Sequence, residues 1–291
     1  MKIESKFQKK KPVLSFEIFP PKRDKAIQNI DETLAILSEL NPDFISVTFG
    51  AGGSHTDNQT VELAKRIKQQ YGIDPLVHLT CLNSSKFEIC ELLEELKEAE
   101  IDSILALRGD KNPAVEEKQD FRYASDLVKF IRQYGDFSIS GACYPECHTE
   151  SKNKIEDIAY LKEKVDSGVQ HLISQLFFDN NAFYSFQEHI QIAGMHVPVE
   201  AGIMPVRGAK SVRRMAERNA SHIPDRLNTL LNKWGDDIQS LRAAGILYAS
   251  EQIADLVAHD VDGVHLYSMN HPATTRRIWR NAEPLFRGTQ G

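Results

Sequence analysis

SILALRGDKNPAVEEKQDFRYASDLVKFIRQYGDFSISGACY, residues 103–144, contains one full turn of the pattern that organises the chain. Ser103 to Leu107 is a short, strand-forming apolar run; Ala124, Leu127, Val128 and Ile131 then fall on one helical stripe; Ser138 to Tyr144 is a second short run. The change from a continuous apolar run to a period of about 3.6 residues and back reads as strand, helix, strand. Runs of this kind, rather than alternating ones, mark strands covered on both faces, as parallel strands are.

The same unit recurs in both directions. Upstream lie the runs Val13 to Phe19, Phe44 to Phe49 and Leu76 to Cys81; downstream lie His171 to Phe178, Val197 to Met204 and Gly263 to Met269. Helical stripes separate them: Ile27, Ile30, Leu34 and Leu37; Ile89, Leu92, Leu93 and Leu96; Ile158, Leu161 and Val165; Phe183, Phe186 and Ile190. Eight strand-then-helix units in series predict an α/β fold, a closed (β/α)8 TIM barrel rather than an open doubly wound sheet. About sixty residues separate the seventh and eighth runs and include Pro224 and Gly235, so extra helices are expected between strands 7 and 8. No Gly-, Ser- or Pro-rich linker interrupts residues 1–291, which read as a single domain.

Composition bounds the partners. The 291 residues carry a net charge of -6, which argues against nucleic acid, because phosphate binding needs a clustered basic surface. Lys2, Lys6, Lys9, Lys10 and Lys11 read as a solvated basic tail over residues 1–11, and with neither a signal sequence nor a membrane-spanning run the protein is expected to be cytoplasmic. Cys81, Cys90, Cys143 and Cys147 are too few for a disulfide framework, so reduced thiols are expected. Cys143, Cys147 and His148 lack a fourth ligand at zinc spacing, and no metal site is expected.

In a barrel of this kind the chemistry sits at the carboxyl ends of the strands. Glu17 places a carboxylate in the otherwise apolar end LSFEIF; a structural ion pair and a functional acid are both open there. Thr48 opens a glycine turn, Gly50 to Ser54, that matches neither dinucleotide nor P-loop fingerprints. The fourth strand ends in Arg108, Gly109 and Asp110, a turn with opposite charges either side of a glycine, where an ion pair within the turn is the plain alternative. The fifth ends in Tyr144 to His148, offering a ring and an imidazole to a planar ligand. Gln175 is an amide that must be hydrogen-bonded if buried, and His78, taken alone, reads as a core histidine.

Eight motifs in order and spacing, FEIFPPK (Phe16 to Lys22), VTFGAGGS (Val47 to Ser54), HLTC (His78 to Cys81), LALRGD (Leu105 to Asp110), YASDLV (Tyr123 to Val128), YPECH (Tyr144 to His148), QLFFD (Gln175 to Asp179) and GIMPV (Gly202 to Val206), resemble the methylenetetrahydrofolate reductase family. The likeness covers nearly the whole chain after the basic tail. It implies the catalytic barrel without the carboxyl-terminal regulatory domain of eukaryotic members, and a noncovalent FAD. That cofactor would touch the positions matching Thr48, His78, Arg108, Gly109, Asp110, Ala124, Tyr144, His148, Asp157 and Lys164. Gln175, Phe183, Ser211, Met215 and His271 would surround the folate. The chain departs from the family at Tyr160 and Glu163, where an Asn and a basic residue are common, and at Met215, where some relatives carry an aromatic residue.

The implied reaction reduces 5,10-methylenetetrahydrofolate to 5-methyltetrahydrofolate with electrons from NAD(P)H, in a homo-oligomer. Protonating one of the two bridged nitrogens opens the ring to an iminium cation that accepts hydride. Glu17, at an apolar strand end that should favour its protonated form, is the expected acid, and Asp110 the expected fixed negative charge. Gln175 suits a pterin or a nicotinamide amide. A pterin-dependent barrel methyltransferase without flavin and a noncatalytic partner subunit are the alternatives; carboxylates at both Glu17 and Asp110 argue against the second.

Overall fold

The computed structural model describes residues 1–8, 11–20, 27–49, 59–111 and 118–286. Eight parallel strands close on themselves in chain order: β1 (Val13–Ile18), β2 (Phe44–Val47), β3 (Asp74–Thr80), β4 (Ser103–Leu107), β5 (Ser138–Cys143), β6 (His171–Ser174), β7 (Val199–Ile203) and β8 (Gly263–Tyr267). The barrel closes through β1 and β8, with Ser15 opposite His265 and Glu17 opposite Tyr267. The helices are α1 (Ile27–Ser38), α2 (Gln59–Tyr71), α3 (Lys86–Glu98), α4 (Ala124–Tyr134), α5 (Lys154–Asp166), α6 (Asn180–Ile192), α7 (Ala209–Arg218), α8 (Asp225–Trp234), α9 (Ile238–Ala258) and α10 (Pro272–Phe286). The TIM barrel is as expected, and α7 and α8 are the additions between strands 7 and 8, while α9 packs on β7 between α6 and α10 in the helical ring. No helix among the described residues is long and apolar enough to cross a membrane.

Local chemistry starts several of these elements. Ser85 and Glu88 form a capping box at α3, and the Asp237 carboxylate accepts from the Gln239 and Ser240 amides at the start of α9. The run His171 to Phe178 splits: β6 stops at Ser174, and Leu176 and Phe178 leave the barrel to pack with Val212, Leu227, Leu231 and Leu241 in a second core under α7 to α9. Tyr248 of α9 pins that exit by donating to the Phe178 carbonyl at 2.6 Å.

Alternation along each strand sorts the side chains. Leu14, Phe16 and Ile18 pack outward in the main core, while Val13, Ser15 and Glu17 turn to the axis. Inside the barrel an apolar layer gathers Val13, Phe44, Leu76, Leu105 and Ile173. The rest of the interior is polar: Ser15, Ser46, Ser140, His171, Glu200 and His265 are all fully buried.

The amino terminus is a correction to the sequence reading. Residues Ile3–Gln8 form a 3-10 helix that stoppers the bottom of the barrel rather than a solvated tail. Ile3 is fully buried in the apolar layer, and Phe7 stacks on the His171 ring with centroids 4.5 Å apart. Lys6 and the terminal amine pair with Asp74 at 2.6 and 2.8 Å, Lys2 pairs with Asp136, and Lys11 with Asp43. Burial works to raise the Asp74 carboxyl, but hydrogen bonds from Lys6 and the amine outweigh it and hold it below its ordinary value. Two apolar residues four apart are enough to seat one helical turn, and counting lysines conceals them. Lys9 and Lys10 lie outside the described residues.

Candidate active site

Polar side chains line the mouth of the barrel at the carboxyl ends of the strands. Glu17 sits at its floor with only 8% of its surface exposed, and Oε2 lies 3.7 Å from His78 Nε2 of β3 and 3.8 Å from His265 Nε2 of β8. No lysine or arginine pairs with it among the described residues. Burial pushes His78 down to about 4, with Glu17 opposing the shift, so the imidazole is neutral at ordinary pH.

The end of β1 is clamped from β8. Asn270 accepts from the Phe19 amide at 2.9 Å and donates to the Phe19 carbonyl at 2.8 Å, and Ser268 donates to the Glu17 carbonyl. Met269 and Asn270 both take left-handed backbone at φ 52°, which turns the chain back toward β1. The Glu17 main chain is thereby held rigidly. Pro21, Lys22 and the turn Gly50 to Ser54 lie outside the described residues.

One side of the mouth carries the positive groups. Arg108 forms a two-pronged pair with Glu150 at 2.6 and 2.7 Å, not an ion pair with Asp110 within its own turn. Gly109 takes φ +88°, and a β-carbon there would lie 3.2 Å from that of Thr80, so the turn needs glycine. Tyr144 and His148 meet edge to face with centroids 4.6 Å apart. Burial, helped by the Arg108 charge, pulls His148 below its ordinary value. Lys164 donates to the Ala142 carbonyl, and burial lowers it as well. Asp157 accepts from Ser151 at 2.8 Å, Ala124 opens α4 half-buried, and Thr48 follows β2, its carbonyl accepting from Thr60. Tyr160 and Glu163 face outward on α5, the latter 3.5 Å from Lys129.

The positions expected around a folate do not all converge. Gln175 follows β6, its amide donating to the Cys143 carbonyl, while its side-chain oxygen accepts from the Leu176 amide at 2.8 Å. Ser211 and Met215 share one face of α7, one turn apart, with Ser211 exposed and Met215 half-buried. His271 is exposed at the start of α10. Phe183 is fully buried and stacks on Phe177 at 5.2 Å, packing α6 against the barrel. Asp110 is exposed rather than enclosed and pairs with Arg218 of α7, which lies at the rim with Met215.

Sequence reasoning missed Arg218 and the axial set Ser15, His171, Glu200, His265 and Tyr267. His171, Glu200 and His265 were legible by the rule that singled out Glu17, a titratable residue inside an apolar run. Gly202, opposite His265, entered the sequence reading only as the start of GIMPV: a β-carbon there would fall 2.2 Å from the Ser174 carbonyl and 2.9 Å from the Tyr267 ring. Its absence lets Tyr267 reach across and donate to Ser174 O at 2.8 Å.

Comparison with known proteins completes the assignment. The profile of the family described as "Methylenetetrahydrofolate reductase" matches residues 2–283. "Methylenetetrahydrofolate reductase (NADH) 1" of Arabidopsis thaliana is 35% identical over 284 residues, 92% of this chain and 48% of that protein. "5,10-methylenetetrahydrofolate reductase" is 34% identical over 88% of this chain both in Pectobacterium carotovorum, covering 85% of that protein, and in Escherichia coli, covering 86%. The chain thus spans about half the length of the plant relative and most of the bacterial ones. In fold it resembles a Clostridium thermocellum protein described as binding two copies of 5-methyl-5,6,7,8-tetrahydrofolic acid, with a TM-score of 0.67 at 14% identity over 98% of this chain and 99% of that one. With the profile matched along almost its whole length on a closed eight-stranded barrel, this chain belongs to the methylenetetrahydrofolate reductase family.

Proposed function

We propose that the protein reduces 5,10-methylenetetrahydrofolate to 5-methyltetrahydrofolate, with FAD as cofactor and NAD(P)H as electron donor, as a cytoplasmic homo-oligomer. The observation that carries this reading is Glu17, a carboxyl on the floor of the mouth faced by two imidazoles and by no lysine or arginine among the described residues. A group so held is suited to giving up a proton to a substrate nitrogen and taking one back.

The residues of the mouth fit the cofactor. Arg108, Lys164 and His148 put donors of positive or neutral character along one side, as a dianionic pyrophosphate requires, and Tyr144 adds a flat apolar surface beside them. The left-handed Gly109 keeps a side chain out of that side. Glu150 already holds both prongs of Arg108, so binding a phosphate there involves exchange of one anion for another. When bound, FAD supplies the hydride. The remaining work belongs to the chain: Glu17 delivers a proton to the bridged nitrogen, Asp110 stabilises the resulting cation, Gln175 orients the pterin, and Ser211, Met215 and His271 border it.

The test begins with the absorbance of the purified protein. Flavin bands that appear on reconstitution with FAD are expected, and a protein that FAD cannot turn yellow overturns the reading. Glu17→Gln should then accept electrons from NAD(P)H at close to the normal rate, yet pass them to methylenetetrahydrofolate about a hundredfold to ten-thousandfold more slowly, the usual worth of a general acid. Stopped-flow measurement of each half-reaction decides it, and equal loss in both halves would remove the acid role.

A further inference from the structure

Below Glu17 the barrel axis carries a continuous polar array that the reaction as written does not use. His265 Nε2 lies 3.8 Å from Glu17 Oε2, and its Nδ1 lies 2.6 Å from Ser15 Oγ. Ser15 Oγ donates to Glu200 Oε1 at 2.8 Å. Glu200 Oε2 lies 3.1 Å from His171 Nε2, and His171 Nδ1 lies 2.9 Å from Ser140 Oγ. Glu200, His171, Ser15 and Ser140 have no exposed surface, and Phe7 closes the lower end by stacking on His171.

The directions of these bonds follow from one another. Glu200 Oε2 and His171 Nε2 face each other at 3.1 Å and neither makes a hydrogen bond elsewhere among the described residues; a proton on one of the two is what keeps two facing lone pairs from repelling. Burial raises Glu200 to about 8 and lowers His171 to about 3, which puts that proton on the carboxyl. Whichever partner holds it, Glu200 Oε1 is left as an acceptor. Ser15 spends its only proton on that oxygen, so its own oxygen accepts from His265 Nδ1–H. With its proton on Nδ1, His265 presents Nε2 as an acceptor to Ser46 Oγ at 3.5 Å and, at 3.8 Å, toward Glu17 Oε2.

We propose that Glu200 is a positioning residue for this reaction: through Ser15 it sets the tautomer of His265, so that the imidazole faces Glu17 as an acceptor and favours the protonated carboxyl. The opposite tautomer would aim Nε2–H at Glu17 and stabilise the carboxylate, the form unable to act as an acid. The proposal rests on the proposed function for its catalytic half; its hydrogen-bond half stands on the geometry alone.

The test uses the full chain in three variants. Glu200→Leu removes the acceptor without leaving a buried charge, Glu200→Gln keeps an acceptor oxygen, and Ser15→Ala cuts the link while leaving Glu200 and His171 in place. In histidine-labelled protein, nitrogen NMR should report the Nδ1–H tautomer of His265 in the wild type and in Glu200→Gln, and a shift toward Nε2–H in Glu200→Leu. In Ser15→Ala the strict Nδ1–H preference should be lost. The folate half-reaction should slow by up to about tenfold in Glu200→Leu and Ser15→Ala, the usual worth of one hydrogen bond between neutral groups, and be restored in Glu200→Gln, with reduction by NAD(P)H unchanged throughout. A tautomer indifferent to Glu200→Leu, or equal slowing of both half-reactions, overturns the proposal. A wild type that binds FAD but does not reduce the folate overturns the proposed function instead, while the tautomer still decides whether Glu200 directs His265.

Discussion

At the scale of single residues, exposure separates the two carboxylates singled out for chemistry. Glu17 is enclosed and faces imidazoles, whereas Asp110 is 81% exposed at its side chain and shares a rim ion pair with Arg218. An exposed pair of that kind is worth about 0 to 1 kcal/mol, so Asp110→Asn should leave thermal unfolding nearly unchanged. If Asp110 stabilises the cationic intermediate, the same variant should still slow flavin reoxidation by the folate. Rapid mixing with the flavin potential determined separately checks this, and a normal rate discards the role. Gly202 is the opposite case, a residue without function of its own that the site cannot lose. Gly202→Ala would press a methyl against the Ser174 carbonyl and displace Tyr267, at a cost of about 1 to 3 kcal/mol, visible as a lower midpoint in urea.

At the scale of elements, the 3-10 helix Ile3–Gln8 acts as a stopper. Ile3 fills the apolar layer between Val13, Phe44, Leu76, Leu105 and Ile173, so Ile3→Ala should lower stability by about 2 to 5 kcal/mol. A surface tail would show no change, and equilibrium denaturation distinguishes the two. The helices between strands 7 and 8 do related work at the other end. α8 and α9 close a second core over Leu176 and Phe178 and hold α7, with Met215 and Arg218, beside the mouth. The run His171 to Phe178 looked like one strand because both of its halves are buried, one in the barrel and one beneath these helices. Periodicity does not tell those two burials apart.

At the scale of the whole molecule, the polar interior ties stability to pH. His78 and His171 fall from an ordinary 6.5 to about 4 and about 3, both by burial, so the folded chain binds fewer protons than the unfolded one below 6.5. Their contribution is complete above 6.5 and is lost as pH falls toward 4 for His78 and toward 3 for His171. Glu200 is shifted the other way, from 4.5 to about 8, so its contribution is complete below 4.5 and is lost as pH rises through 8. Two groups oppose one below 6.5 and Glu200 acts alone above it, which gives the interior its largest contribution near 6.5. Each proton is worth about 1.4 kcal/mol per pH unit. Thermal unfolding across this range should therefore show a decline on the alkaline side that Glu200→Leu flattens. A decline equally steep in the variant would assign it to other groups.

The sequence by itself determined the architecture and the family. Eight apolar runs separated by helical stripes have one economical closure, and motifs such as LALRGD and YPECH stand at strand ends where a barrel gathers them. It also marked Glu17, since a charge in an apolar run stands out locally. Only the tertiary structure decided what Glu17 faces. His78 and His265 lie 61 and 248 residues away from it in the chain and meet it because closure brings β3 and β8 to the same axis. It likewise decided that Phe183 is core, that Arg108 turns to Glu150 and Asp110 to Arg218, and that the lysine-rich start is a stopper. Strand and helix periods are properties of neighbouring residues and can be read along a chain. A partner across a closed barrel depends on register and on which way each side chain points, and no stretch of sequence contains both members of such a pair.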